Sequence, residues 1–279
     1  MPTSDTARIS RFKQRVGFDA AIAAQNPNEA VVVEWPDFMT AAPLAQSGPG
    51  WAPPERSITC ADHGCTLLWT ARRGKETVEL TVFVAESEAS AAAERLLARA
   101  SASMMVEIPM VRGPDGLGAL SLASPAGEPV PPGAAADSTL MWVYRNIFFG
   151  LELYDSRLDA LALARAIDAV ARQGLVSKSA WLLRRPPLPA GPGWQTPMRA
   201  PAGTAITIKL ADGLPAGAAP ADYLLRVDRS TSNLEILGVR EGAVEVRGKA
   251  AGPGQGALQV VQARTLLSRS VALRFEFGP

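Results

Sequence analysis

Apolar and polar positions alternate from Glu76 to Val84, with Val78, Leu80, Val82 and Val84 on one side and Thr77, Glu79, Thr81 and Phe83 on the other. This period of two predicts a strand with one apolar and one mostly polar face, as in a sheet covered on a single side. Upstream, Cys65 leads through a hairpin at Arg73-Gly74-Lys75 into this strand. Downstream, Ser87 is placed to cap an Ala-rich helix that turns Ala89, Ala93, Leu96, Leu97 and Ala100 inward. The same plan recurs at an offset of 69 residues. Ser138 leads through a turn at Arg145-Asn146 into Ile147–Leu153. A helix opens at Ser156, with Asp159 as partner in a capping-box variant; its stripe is Ala160, Leu163, Ala164, Ile167, Val170 and Ala171, and Gly174 is its stop. Two strand-strand-helix units predict one antiparallel sheet with both helices on one of its faces.

Elsewhere the periodicity is weaker. Ile9, Phe12, Val16 and Ala20 predict a single helix from about Thr6 to Gln25, stopped at Asn26-Pro27-Asn28. Val31–Val33 is a candidate strand, and residues 35–54 read as a turn-rich connector. Val106–Ile108 and Leu117–Leu122 are further candidate strands, and Pro125–Ala135 reads as an exposed loop. From Arg184 the composition shifts to a stiff Pro- and Gly-rich run, Arg185 to Gly193, of the kind that joins domains. Beyond it the helical period disappears. Six short alternating runs follow: Thr204–Leu210, Tyr223–Val227, Leu234–Val239, Ala243–Arg247, Ala257–Gln262 and Val271–Phe277, which together predict an antiparallel sandwich. The expected boundaries are a helical segment over 1–30, an α+β domain over 31–184, a linker over 185–200 and a β-sandwich over 201–279.

The stretch from Leu234 to Gly252, followed by Gly256-Ala257-Leu258-Gln259-Val260, is similar to the closing strands of bacterial immunoglobulin-like domains of surface and secreted proteins. The segment from Trp142 to Ala171, a strand, an Arg-Asn turn, a second strand and an Ala-rich helix, loosely resembles uncharacterised extracytoplasmic bacterial α+β domains. The two resemblances imply the fold class α+β, an antiparallel sheet with two strand-strand-helix units followed by an all-β immunoglobulin-like sandwich. They also imply a periplasmic or secreted location, with a cytoplasmic one as the alternative.

Charge adds an exclusion. Lys plus Arg number 28 against 27 Asp plus Glu, so no nucleic-acid footprint is expected. Arg8, Arg11, Lys13 and Arg15 surround Ile9 and Phe12, either as the solvated face of a terminal helix or as a membrane-touching or partner-docking surface. No apolar run approaches the roughly 18 to 20 residues that cross a bilayer, so no integral membrane segment is expected. The first 30 residues also lack the apolar centre of a secretion signal.

The two cysteines, Cys60 and Cys65, flank a tight turn between candidate strands, where facing Cβ atoms come within disulfide reach. Two free thiols or a metal site are the alternatives. The single histidine, His63, lies in that turn. With Cys60 and Cys65 it would make a three-ligand metal set short of a fourth, so no metal or cofactor is expected. Gly113-Pro114-Asp115-Gly116-Leu117-Gly118 has the look of a phosphate loop but precedes a strand, not a helix, and reads as a turn. Glu79, Glu107, Glu152 and Asp155 are the carboxylates on or near the predicted sheet. The aromatic group Trp69, Trp142, Tyr144 and Phe148 places large rings on both sides of the sheet, so the second side must meet the N-terminal segment, the second domain or a protein partner. The expectation is a non-catalytic bacterial binding or assembly protein acting through protein contacts. A carboxylate-dependent hydrolase and a carrier of an apolar ligand are the alternatives.

Overall fold

The structure is a computed structural model that describes residues 4–41, 50–61, 63–86, 89–102, 107–125, 135–230, 233–240 and 242–279. The described residues divide into two compact units, one of residues 1–59 and 66–183, the other of residues 60–65 and 184–279. The protein is mixed α+β with several antiparallel sheets.

In the first unit the helix expected over residues 6–25 is two helices, α1 (Ser4–Val16) and α2 (Phe18–Ala23). The break falls at Gly17, whose φ of +69° is left-handed and ends the first helix where few other residues would. Strand β1 (Glu29–Val31) follows. Helix α3 (Trp35–Ala41) then occupies part of what the sequence suggested was a connector, its Pro36 sitting in the first turn, where a missing N–H costs nothing. The main sheet has seven strands in the order β2-β3-β4-β8-β7-β6-β5. These are β2 (Glu55–Ala61), β3 (Gly64–Arg73), β4 (Glu76–Ala85), β5 (Val111–Arg112), β6 (Leu120–Ala123), β7 (Ala136–Tyr144) and β8 (Ile147–Ser156). Helix α4 (Ala89–Ser101) follows β4, and α5 (Ala160–Gln173) follows β8. A short β9 (Leu175–Ser177) pairs antiparallel with β1, and α6 (Lys178–Arg184) closes the unit.

The repeated units do not share a helix layer. Register pairs Phe83 with Phe148, and Val143 with Phe148, so these rings share a face with Met141, Leu120 and Leu122. That face packs with Ala92, Ala93, Leu96 and Ala100 of α4 and with Phe12, Val16 and Phe18 of α1 and α2. The opposite face carries Trp142 and Phe149, a cross-strand pair stacked with centroids 4.9 Å apart. It meets α3 through Phe38, edge-on to Phe149 at 5.2 Å, and α5 through Arg172, 4.9 Å over the Tyr144 ring. Helices α4 and α5 thus lie on opposite sides of the sheet, which corrects the expectation of two helices on one face. The cause is visible in the side chains. Phe83, Met141, Val143 and Phe148 make the supposedly polar side apolar over half its length, and that half needs a cover of its own.

Two local readings change as well. The N-cap of α5 is Asp159, whose carboxylate accepts from Leu161 N and Ala162 N, while Ser156 closes β8. Residues 107 and 108 of the strand expected over Val106–Ile108 are not in a strand; the short β5 begins three residues beyond Ile108. The expected cap Ser87 and residue Val106 lie outside the described residues.

The second unit contains two sheets. One is ordered β10-β16-β15-β12, from β10 (Met198–Pro201), β12 (Tyr223–Ser230), β15 (Gly252–Gln262) and β16 (Ser268–Gly278), and its β10–β16 pair is parallel, which departs from the wholly antiparallel arrangement expected. The other is β11-β14-β13, from β11 (Ala205–Lys209), β13 (Leu234–Arg240) and β14 (Ala243–Gly248). Ile208, Val244, Val246 and Leu234 of the smaller sheet form one core with Leu258, Val260, Leu273, Phe275 and Phe277 of the larger. Phe275 and Phe277 stack at 5.4 Å, and a Cβ on Gly248 or Gly254 would run into the Phe277 ring. The Pro- and Gly-rich stretch is hydrogen-bonded to this unit: Ala190 N donates to Gly213 O, and Arg274 N donates to Gly193 O.

Candidate functional site

The sequence-selected aromatics are interior groups. Trp142, Phe148, Trp69 and Tyr144 are all buried, so they present no exposed aromatic surface. Of the sheet carboxylates, the structure brings Glu79 and Glu152 together: they are directly opposed in the β4–β8 ladder, with Thr77 opposite Tyr154 beside them. Two like charges facing each other across a ladder are destabilising unless a cation intervenes. Arg99, at the end of α4, supplies it, donating to Glu152 Oε1 at 2.5 Å, while the Tyr154 hydroxyl donates to Oε2 at 2.5 Å. This half of the α4-covered face is polar and half open. Tyr154 is 39% exposed, and register carried through the two-residue Gly74-Lys75 turn sets Leu68, also 39% exposed, on the same side.

Electrostatics fix what this cluster can do. Burial pushes the Glu152 carboxyl up, but the hydrogen bonds from Tyr154 and Arg99, with the charge of Arg99, outweigh it and hold the group below the ordinary carboxylate range. The Tyr154 phenol is pushed up to about 12, first by its hydrogen bond to Glu152 and then by burial and the neighbouring carboxylates. Near neutral pH the carboxylate is therefore a fixed acceptor and the phenol a fixed donor. A general acid needs a carboxyl raised toward the working pH, and Glu152 is moved the other way. The remaining sequence-selected carboxylates stand apart: Glu107 pairs with Arg11 at 3.0 Å, and Asp155 donates its backbone N–H to Asp137 Oδ1.

A second polar centre lies at the Arg145-Asn146 turn, whose side chains hold the N-terminal segment. Asn146, buried, receives Val31 N–H at its Oδ1 at 2.6 Å and returns its amide N–H to Val31 O at 3.2 Å, so one side chain imitates a strand neighbour. Arg145, at φ +55°, pairs with Glu29, and its backbone N–H donates to Gln25 Oε1. Beside it is a cavity of about 430 Å³ lined by Gly17, Ala20, Ala21, Ala24, Gln25, Arg112, Ala119, Tyr144 and Arg145. Sequence reasoning noticed the turn but missed this cavity, because Arg112 and Ala119 reach it only through the tertiary fold. The Ala run at 20, 21 and 24 was the one available signal.

The Gly113–Gly118 turn serves α5. Gly118 N donates to buried Asp168, Arg172 donates to the same carboxylate at 2.6 Å and to Gly116 O, and a Cβ at Gly118 would meet the Val143 carbonyl. The basic residues of α1 are likewise engaged internally. Arg8 donates to Ser101 O, Lys13 pairs with Asp19, and Arg15 donates to Ile108 O and Met110 O. Arg8 and Arg15 thereby strap down the chain that leaves α4.

Cys60 and Cys65 lie at disulfide distance, with Sγ atoms 2.14 Å apart, across the β2–β3 turn where His63 sits exposed at φ +81°. Among the described residues no group of three or more His, Cys, Asp or Glu could hold a metal ion, and no helix is long and apolar enough to cross a membrane. Compared with known proteins, the chain matches no protein-family model, no curated protein and no solved structure.

Proposed function

We propose that this is a non-catalytic bacterial binding or assembly protein that works outside the cytoplasm, through protein contacts made on the open half of the α4-covered sheet face. The observation that carries the reading is the pairing of exposed Tyr154 and Leu68 with a charge cluster whose groups are locked by their own hydrogen bonds. A surface of fixed donors and acceptors around apolar contacts is suited to recognition, and the Tyr at its centre offers a large rigid contact with a polar tip. The second unit is read as an immunoglobulin-like sandwich, a spacer or docking module; two sheets sharing one core support that reading. The Cys60–Cys65 pair supports an oxidising compartment. The hydrolase alternative asks for a carboxyl raised above its usual range, whereas Glu152 and Glu76 are both held below theirs. For a carrier of an apolar ligand held between the sheet and its helices the interior would have to be open, and on the α3 side Trp142, Phe149 and Phe38 fill it.

The test is capture of partners from an extract of the native host by the tagged full chain, with intact mass taken before and after reduction. A protein retained in stoichiometric amount by the wild type and lost from both Leu68→Glu and Tyr154→Ala supports the reading, as does a mass gain of two hydrogens on reduction. Turnover of a small substrate that Glu152→Gln abolishes would replace docking with catalysis.

A further inference from the structure

The cavity beside the Arg145-Asn146 turn is a different kind of site from the docking face. Its walls are contributed by the α1–α2 junction and α2 on one side, and by β5, the residue before β6 and the β7–β8 turn on the other. Five of its nine lining residues, Gly17, Ala20, Ala21, Ala24 and Ala119, have small side chains, which is why space is left there at all. The polar part of the wall is cationic or donating, with Arg112, Arg145, Tyr144 and Gln25, and no carboxylate is among the described lining residues.

Two of these groups keep unused donors. Gln25 Nε2 and Arg145 Nε are buried with no hydrogen-bond partner among the described residues, although a buried donor left unpaired costs about 1–3 kcal/mol. The surplus positive charge is close to a single unit. Arg145 is paired with Glu29, and Arg112 donates to the neutral carbonyl of Val16 while its nearest carboxylate, Asp115, stands 4.0 Å off and almost fully exposed.

We propose that this cavity binds a small monocarboxylate, its anionic head held between Arg112 and Arg145 and its short apolar body laid against the alanine wall. One surplus charge suits a monoanion better than a doubly charged phosphate, and planar guanidinium forks match the two oxygens of a carboxylate. The alanines and the face of the Tyr144 ring supply apolar surface, and beyond the two arginines the wall offers only the uncharged Gln25 amide and Tyr144 hydroxyl, so an aliphatic body fits it better than a second charged group.

The experiment is calorimetric titration of the full chain with straight-chain carboxylates from acetate to octanoate and, separately, with inorganic phosphate. Saturable carboxylate binding is expected, tightening by about fourfold per added methylene until the cavity is full. Ala20→Phe, at an exposed position on the cavity wall, fills the space without touching the core and is expected to weaken octanoate at least tenfold at unchanged melting temperature. Arg112→Gln is expected to do the same through the head. Phosphate binding more tightly than octanoate, octanoate binding that Ala20→Phe leaves unchanged, or no saturation at millimolar carboxylate would each overturn the assignment.

Discussion

The two units close their sheets by different means. The second sets one sheet against another, so the alternation of Val271, Leu273, Phe275 and Phe277 alone delivers the core, and Gly248 and Gly254 make room for the largest ring. The first covers both faces of one sheet with helices rich in Ala, and small side chains bury little area per residue. Its connecting segments lie outside the main sheet, and polar side chains fasten them: Asn146 on Val31, Asp168 on Gly118, Arg15 on residues 108 and 110, and Glu76 on Arg157 N and Ser156 Oγ. Packing substitutions are therefore expected to damage both units, and polar substitutions chiefly the first.

The largest effects test the shared part of that contrast. Trp142→Ala and Phe277→Ala, each at a buried stacked ring, are expected to cost about 3–5 kcal/mol in chemical denaturation, in the first and second unit respectively. Next comes the specific part. Asn146→Ala leaves both backbone groups of buried Val31 unpaired and is expected to cost about 2–3 kcal/mol; a loss under about 0.5 kcal/mol would show that the N-terminal segment is held by packing alone.

Glu152→Gln is smaller, about 1 kcal/mol at neutral pH, because Arg99 is half exposed. Its pH dependence carries the information. A carboxyl depressed in the folded state stabilises above its unfolded value near 4.3, and the contribution is lost as pH falls through the lower folded value. The gap between wild type and Glu152→Gln should therefore close in acid, and a gap that persists at pH 2 would mean the cluster is steric, not electrostatic.

Tyr154 gives the alkaline counterpart. Its phenol, raised to about 12, stabilises the fold below the unfolded value near 10 and ceases to do so as pH rises through the folded value. Absorbance titration at the tyrosinate band should show one tyrosine ionising late, and this late step should be absent from Tyr154→Phe. The smallest effect is expected at the exposed Arg11–Glu107 pair, where Arg11→Ala should cost under about 1 kcal/mol by thermal denaturation. A larger loss would make the α1 strap a major support of the first unit.

Much of the local structure was written in the chain. The hairpin at residues 73–76, the Arg145-Asn146 turn, the stripes of α4 and α5 and the strands after residue 200 all follow from periods of two or 3.6 and from turn residues, which depend only on neighbours along the sequence. The Cys60–Cys65 proximity belongs to the same class, because five residues and a turn bring the two together. What only the tertiary structure decided is which side of the sheet each helix takes, the burial of Trp142, Tyr144 and Phe148, and the meeting of Glu79, Glu152, Tyr154 and Arg99. It also decided the gathering of Gln25, Arg112 and Arg145 around one cavity. Alternation says that a strand has two faces but not what covers each, since that choice is set by rings on neighbouring strands many residues away. The same holds for the polar fasteners: the fold lays Gly118 against Asp168 of α5, and burial then makes its hydrogen bonds obligatory.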